Sequence, residues 1–154
     1  MLPNKLIRLR ILTISLATGF LVLFAPLLSD NLKSEVNAQS INLPSVYVGV
    51  WEGRGSQNNG SGWSILMALT SGEPNSIVGT FAYPSLSCGG KLTLRRVSPQ
   101  FIELSENLDY GKKNCVNYGT VTLEKTSGES LQYKWFHSNG KLDGTGSIKK
   151  ISVK

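Results

Sequence analysis

The segment Trp63–Val97, WSILMALT-SGEPN-SIVGTFAY-PSLSCG-GKLTLRRV, decides the fold. Three β-rich runs are punctuated by clusters of Gly, Pro, Asn and Ser, and none repeats its apolar positions at helical spacing. Within each run the core candidates alternate: Ile65, Met67 and Leu69, then Gly79, Phe81 and Tyr83, then Leu92 and Leu94. A strand turns successive side chains to opposite faces, so each run reads as a strand with one buried and one wet face.

The same pattern extends outward from this segment. Tyr47–Gly53 precedes it, and Phe101–Leu108, Gly119–Lys125, Leu131–His137 and Gly144–Ile151 follow, which makes about eight strands. Their inward sets are Gly49, Trp51 and Gly53; Val121 and Leu123; and Leu131, Tyr133 and Trp135. Asn59-Gly60, Ser71-Gly72, Ser127-Gly128 and Asn139-Gly140 supply turn chemistry, because Gly and Asn tolerate the positive φ of tight hairpins. Strands joined by tight turns pair with their sequence neighbours. The expected fold is an all-β antiparallel meander closed into a small barrel, which removes exposed strand edges. A barrel of eight strands is filled by its side chains or holds one small ligand, and both versions stay open here.

Upstream of the strands the chain changes character. Lys5, Arg8 and Arg10 precede an apolar run, Ile11–Leu28, and Val36-Asn37-Ala38 places small residues where a signal peptidase reads them. Residues 1–38 therefore read as a secretory signal peptide, 39–45 as a polar lead-in segment, and 46–154 as a single β domain. The alternative is an uncleaved anchor, for which the apolar run is close to the minimum spanning length; Gly19 and Pro26 argue against a regular helix. No Cys lies beside the run and no Arg-Arg pair precedes it, so the general secretion route is expected. Cleavage sheds four of the 16 basic and two of the 10 acidic residues, and the net charge falls from +6 to about +4. That surplus, without a basic stripe interleaved with aromatics, excludes a nucleic-acid partner and reads as a solubility feature.

Cys88 and Cys115 are the only cysteines. An exported chain with an even count favours a disulfide over two free thiols. Two isolated thiols are too few for a zinc site, so neither a metal nor a cofactor is expected.

The residues quoted so far, in order, carry a resemblance. Trp51-x-Gly53 and Gln57 come first, then GTFAYPSLSCGG (Gly79–Gly90) and Leu92-Thr93-Leu94. Glu106, Gly111 and Cys115, Gly119–Leu123, Tyr133-x-Trp135 and Gly144-x-Gly146 complete the series. Over roughly residues 48–150 the chain resembles the small extracytoplasmic C-terminal domain of some bacterial serine/threonine protein kinases. That resemblance implies a β domain outside the membrane, a Cys88–Cys115 bond and a sensor or ligand-binding role without a defined ligand. No kinase-like stretch accompanies it, so a stand-alone secreted copy of the outer domain is implied. Gly49-Val50-Trp51 also resembles the first strand of lipocalin- and avidin-type barrels, which supports a closed meander in outline.

Hydrolytic chemistry needs a nucleophile, a base within reach and a group that orients the base. His137, the only histidine, sits beside the Ser138-Asn139-Gly140 turn and reads as a turn-flanking residue. Glu106 is in phase with Ile102, Leu104 and Leu108, which points a carboxylate inward. A buried carboxylate needs hydrogen-bond partners or a raised pKa. It is read either as a ligand-binding or general-base group in a barrel mouth, or as a structural residue held by backbone amides, Tyr110 or an Arg. Alternation assigns Trp51 and Trp135 to the core. Trp63 follows the Gln57–Gly62 turn and is expected exposed, where it would form a binding rim with Tyr83, Tyr110 and Tyr118. The functional expectation is thus an exported, non-enzymatic binding or sensor-like domain, secreted or periplasmic, with Trp63, Glu106, Tyr83 and Tyr110 as ligand-binding candidates. Its partner would be a small molecule, a glycan or an envelope protein, and membrane only if the leader stays. The alternatives are an envelope interaction protein with a fully packed barrel and, last, an extracytoplasmic hydrolase.

Overall fold

A computed structural model describes residues 42–126 and 128–151, so the leader at 1–38 lies outside the described residues. Eight strands form the domain: β1 (Gly49–Gln57), β2 (Gly62–Leu69), β3 (Ile77–Tyr83), β4 (Cys88–Val97), β5 (Phe101–Tyr110), β6 (Thr120–Lys125), β7 (Ser130–Phe136) and β8 (Leu142–Lys150). Each pairs with its sequence neighbour, and β1 closes on β8, giving a barrel in the order β1 to β8. All pairings are antiparallel, and the closing seam runs from Trp51 opposite Lys150 to Gln57 opposite Gly144. The turns follow the Asn-Gly logic where the backbone requires it: Gly60 and Gly140 have φ of +85° and +80°. Between β2 and β3 the left-handed residue is Asn75 (φ +69°) rather than Gly72.

Alternation delivers the core as read. Ile65, Met67, Leu69, Phe81, Tyr83, Leu92 and Leu94 are buried, and so are Val121, Leu123, Leu131, Tyr133 and Trp135. The lead-in segment does more than its polarity suggests. Ser45–Tyr47 forms a short 3-10 turn, and Leu43 and Tyr47 are buried with the core. Leu43 N–H donates to the Gly72 carbonyl at 2.8 Å, and Trp51 Nε1 donates to the Tyr47 carbonyl at 2.8 Å. These bonds tie the lead-in to the barrel end where β1 begins and β8 finishes, and the side chains plug it. The opposite end carries the β1–β2, β3–β4, β5–β6 and β7–β8 connections.

Cys88, at the start of β4, is bonded to Cys115 in the β5–β6 connection, with Cα atoms 6.3 Å apart. The connection is held further by Asn114 Nδ2, which donates to the Leu86 carbonyl at 3.0 Å. The Leu108 N–H also donates to Asn117 Oδ1 at 2.9 Å. A structural disulfide of this kind persists in an oxidising space rather than in a reducing cytosol.

Candidate functional site

The inward phase of β5 places Glu106 inside the barrel, where it is 2 % exposed. Its partners come from β3 and β7. Tyr83 Oη donates to Glu106 Oε1, and Trp135 Nε1 donates to Oε2 at 2.7 Å. Because the Tyr83 proton is committed to the carboxylate, the Tyr133 hydroxyl 2.6 Å away donates to Tyr83 in turn. Neither Tyr110 nor an Arg serves as the partner. Burial raises the Glu106 pKa from its ordinary 4.5 to about 7, although the hydrogen bonds from Tyr83 and Trp135 pull it the other way. Burial likewise raises Tyr83 and Tyr133 well above the usual tyrosine value, so both stay protonated.

Above this network lies a cavity of about 200 Å³ at the loop-bearing end of the barrel. Trp63, Tyr83, Glu106 and Trp135 form its inner part, and Gln57, Asn114, Cys115, Val116 and Asp143 belong to its mouth. The disulfide-held connection is therefore one wall of the cavity. At the mouth, Asp143 Oδ2 accepts from Gln57 Nε2 at 2.7 Å and lies 3.3 Å from His137 Nε2. The His137 ring meets Trp135 edge-on, with centroids 4.8 Å apart.

Three of the four candidate residues meet here, and one does not. Trp63 is 7 % exposed, so it is a buried wall residue and not the exposed rim aromatic its turn-side position suggests. It shares the phase of Ile65 and Met67, and it packs edge-on to Tyr83 and Tyr133 at 6.1 and 6.3 Å. Its ring occupies room left by two glycines: a Cβ on Gly55 or Gly144 would come within 2.5 or 2.3 Å of the indole. Those glycines are the sequence signal that Trp63 points inward. Gly119 makes the same allowance for the Trp135 indole, at 2.5 Å. Tyr110 is 52 % exposed and outside the cavity. The β4–β5 register shifts between Gly89 and Gly90, which reverses the facing of β5 after Leu108 and lays the Tyr110 ring over Gly89. Tyr118 is exposed as well and lines no part of the cavity. Asp143 and Gln57 were not among the sequence candidates; the final strand starts at Leu142, two residues before the expected Gly144, and so includes Asp143.

A wider recess of about 500 Å³ lies on the outer face of β5–β7. Its charged walls are already paired, Arg96 with Glu103 at 3.0 Å and Lys134 with Glu124 at 2.8 Å, which leaves it little to offer a ligand.

Fold and site together define a class: a small disulfide-closed meander barrel with a buried carboxyl under an aromatic cavity. Comparison with known proteins adds no relative, since no family model and no curated protein matches the chain.

Proposed function

We propose that this protein is an exported, non-enzymatic binding domain that takes a small molecule, or the end group of a larger one, into the cavity over Glu106. The observation that carries the reading is the buried carboxyl itself. A packed barrel gains nothing from an ionisable group whose burial disfavours its charged form, whereas a binding site needs a few polar groups placed in an apolar surround. The cavity is smaller than the roughly 300–1,000 Å³ of typical ligand sites, which fits a small ligand or an end group. The resemblance to kinase outer domains points the same way.

The hydrolase reading gains one observation, the Asp143 carboxylate on the same cavity as Glu106. Binding is still the better account. Both oxygens of Glu106 hold donors, and Asp143 is engaged by Gln57 and His137, so neither is a free base.

A fragment library screened by the indole N–H resonances of the protein tests the reading. Fragments that occupy the cavity are expected to shift the Trp63 and Trp135 signals and leave Trp51, at the plugged end, unmoved. A library that moves none of the three, or that maps only to the outer face of β5–β7, overturns it. Export is tested separately by intact mass. Protein recovered outside the cytoplasm is expected to begin at Gln39 and to gain two hydrogens on reduction; recovery with residues 1–38 attached would show a retained leader instead.

A further inference from the structure

We infer that the cavity is built for a small, weakly hydrated organic cation of the quaternary-ammonium type. The inference rests on the binding reading above and names its ligand class. The first ground is charge. The full chain carries a net +6, yet none of the cavity-lining residues is Lys or Arg, and two of them, Glu106 and Asp143, are carboxylic. An anionic ligand would meet like charge there with no lysine or arginine in the lining to receive it. The second ground is the wall: Trp63, Tyr83 and Trp135 supply three aromatic rings around the inner carboxyl. Aromatic rings present negative quadrupole faces to a cation, and the attraction grows as water is excluded.

The state of Glu106 selects among cations. Its oxygens already accept from Tyr83 and Trp135, which delocalises its charge and leaves it a weak competitor for strongly hydrated ions. A metal ion would need several oxygen ligands in place of its water shell, and among the described residues no group of three or more His, Cys, Asp or Glu could hold one. A quaternary ammonium sheds its water at low cost and asks for no directed hydrogen bond.

Protons compete for the same carboxyl. Tyr83 and Tyr133 face Glu106 and stay protonated; Asp143 is the other ionisable group lining the cavity, and His137 lies behind it, 3.3 Å from its carboxylate. Cation binding favours ionised Glu106, so affinity falls as pH drops below about 7.

The test uses three probes of one shape: choline, its uncharged analogue with carbon in place of nitrogen (tert-butyl ethanol), and the tert-butylacetate anion. Calorimetry and the Trp63 and Trp135 indole signals are followed at about pH 8, with the folded, oxidised protein and with Glu106→Gln. Choline is expected to bind at least about tenfold tighter than the uncharged analogue, with the anion weakest. Glu106→Gln should reduce that preference severalfold, leaving the share that the aromatic rings and Asp143 supply, and should leave the uncharged analogue unchanged. Equal or tighter binding of the uncharged analogue overturns the cation assignment and leaves the cavity a binding site. So does a choline preference that Glu106→Gln leaves undiminished. No response to any of the three also overturns the assignment, and the fragment screen then decides separately whether the cavity binds at all.

Discussion

Replacing both Cys88 and Cys115 by Ala is expected to lower the unfolding free energy by about 3.5 kcal/mol. The bond closes a loop with a sequence separation of 27, and the cost of releasing that constraint in the unfolded chain scales with the logarithm of loop length. Domains of this size have roughly 5–15 kcal/mol in total, so the loss is a large share of it. Ala is the appropriate replacement at 88 because that side chain is fully buried, and a serine hydroxyl would have to find a partner there. The loss should also be uneven. Once the cystine is gone the β5–β6 connection is left with two local turn bonds to the Gly111 carbonyl and the Asn114 and Asn117 side-chain hydrogen bonds, so its amides should exchange before those of the strands. Denaturant unfolding with hydrogen exchange on the oxidised wild type and the double variant reads both effects. A shift below about 1 kcal/mol with uniform exchange would contradict the assigned role.

Glu106→Gln is expected to make the protein more stable near neutral pH. In the folded wild type the carboxyl titrates at about 7, against an ordinary 4.5. Between those values the folded chain keeps a proton that the unfolded chain has lost. Stability therefore falls as pH rises through that window and levels off above it, by a total of about 3 kcal/mol. Gln has no charge to desolvate and nearly the same shape. Its oxygen can accept from Trp135 Nε1, and its amide can donate to the Tyr83 oxygen, whose proton then turns to Tyr133. The variant should show little slope between about pH 4.5 and 7 and exceed the wild type at about pH 8 by up to about 3 kcal/mol. Thermal or denaturant unfolding across that range decides it. A variant less stable than the wild type at about pH 8 would mean that the ionised carboxyl holds the barrel together, and the case for a group kept for binding would go with it. Stabilisation alongside a reduced choline preference would be the signature of a site maintained against stability.

How far this barrel could be read in advance depends on how local each feature is. Strand phase is local: Ile102, Leu104 and Leu108 are enough to turn Glu106 inward, and Ile65 and Met67 fix the buried face of β2. The strand order follows from short turns, and the cystine from a count of two. The partners of Glu106 are a different matter. Tyr83 is on β3, and Tyr133 and Trp135 are on β7, so their meeting depends on the stagger accumulated over several pairings. Alternation fixes which face a residue takes and leaves its height along the barrel axis open. Trp63 follows strand phase although it stands beside a turn, and the residues that make space for its ring, Gly55 and Gly144, are distant from it in sequence. Tyr110 fell to a bulge, which resets alternation without changing composition.

The plugged end of the barrel settles a practical matter of attachment. The lead-in residues Leu43 and Tyr47 enter there, and β8 leaves there, with Lys150 opposite Trp51. Both ends of the described domain thus emerge on the side remote from Glu106. A tether, a purification tag or a sensor-chip linkage at either terminus would hold the domain with its mouth facing the medium. Immobilising it through the β5–β6 connection would instead occlude the cavity.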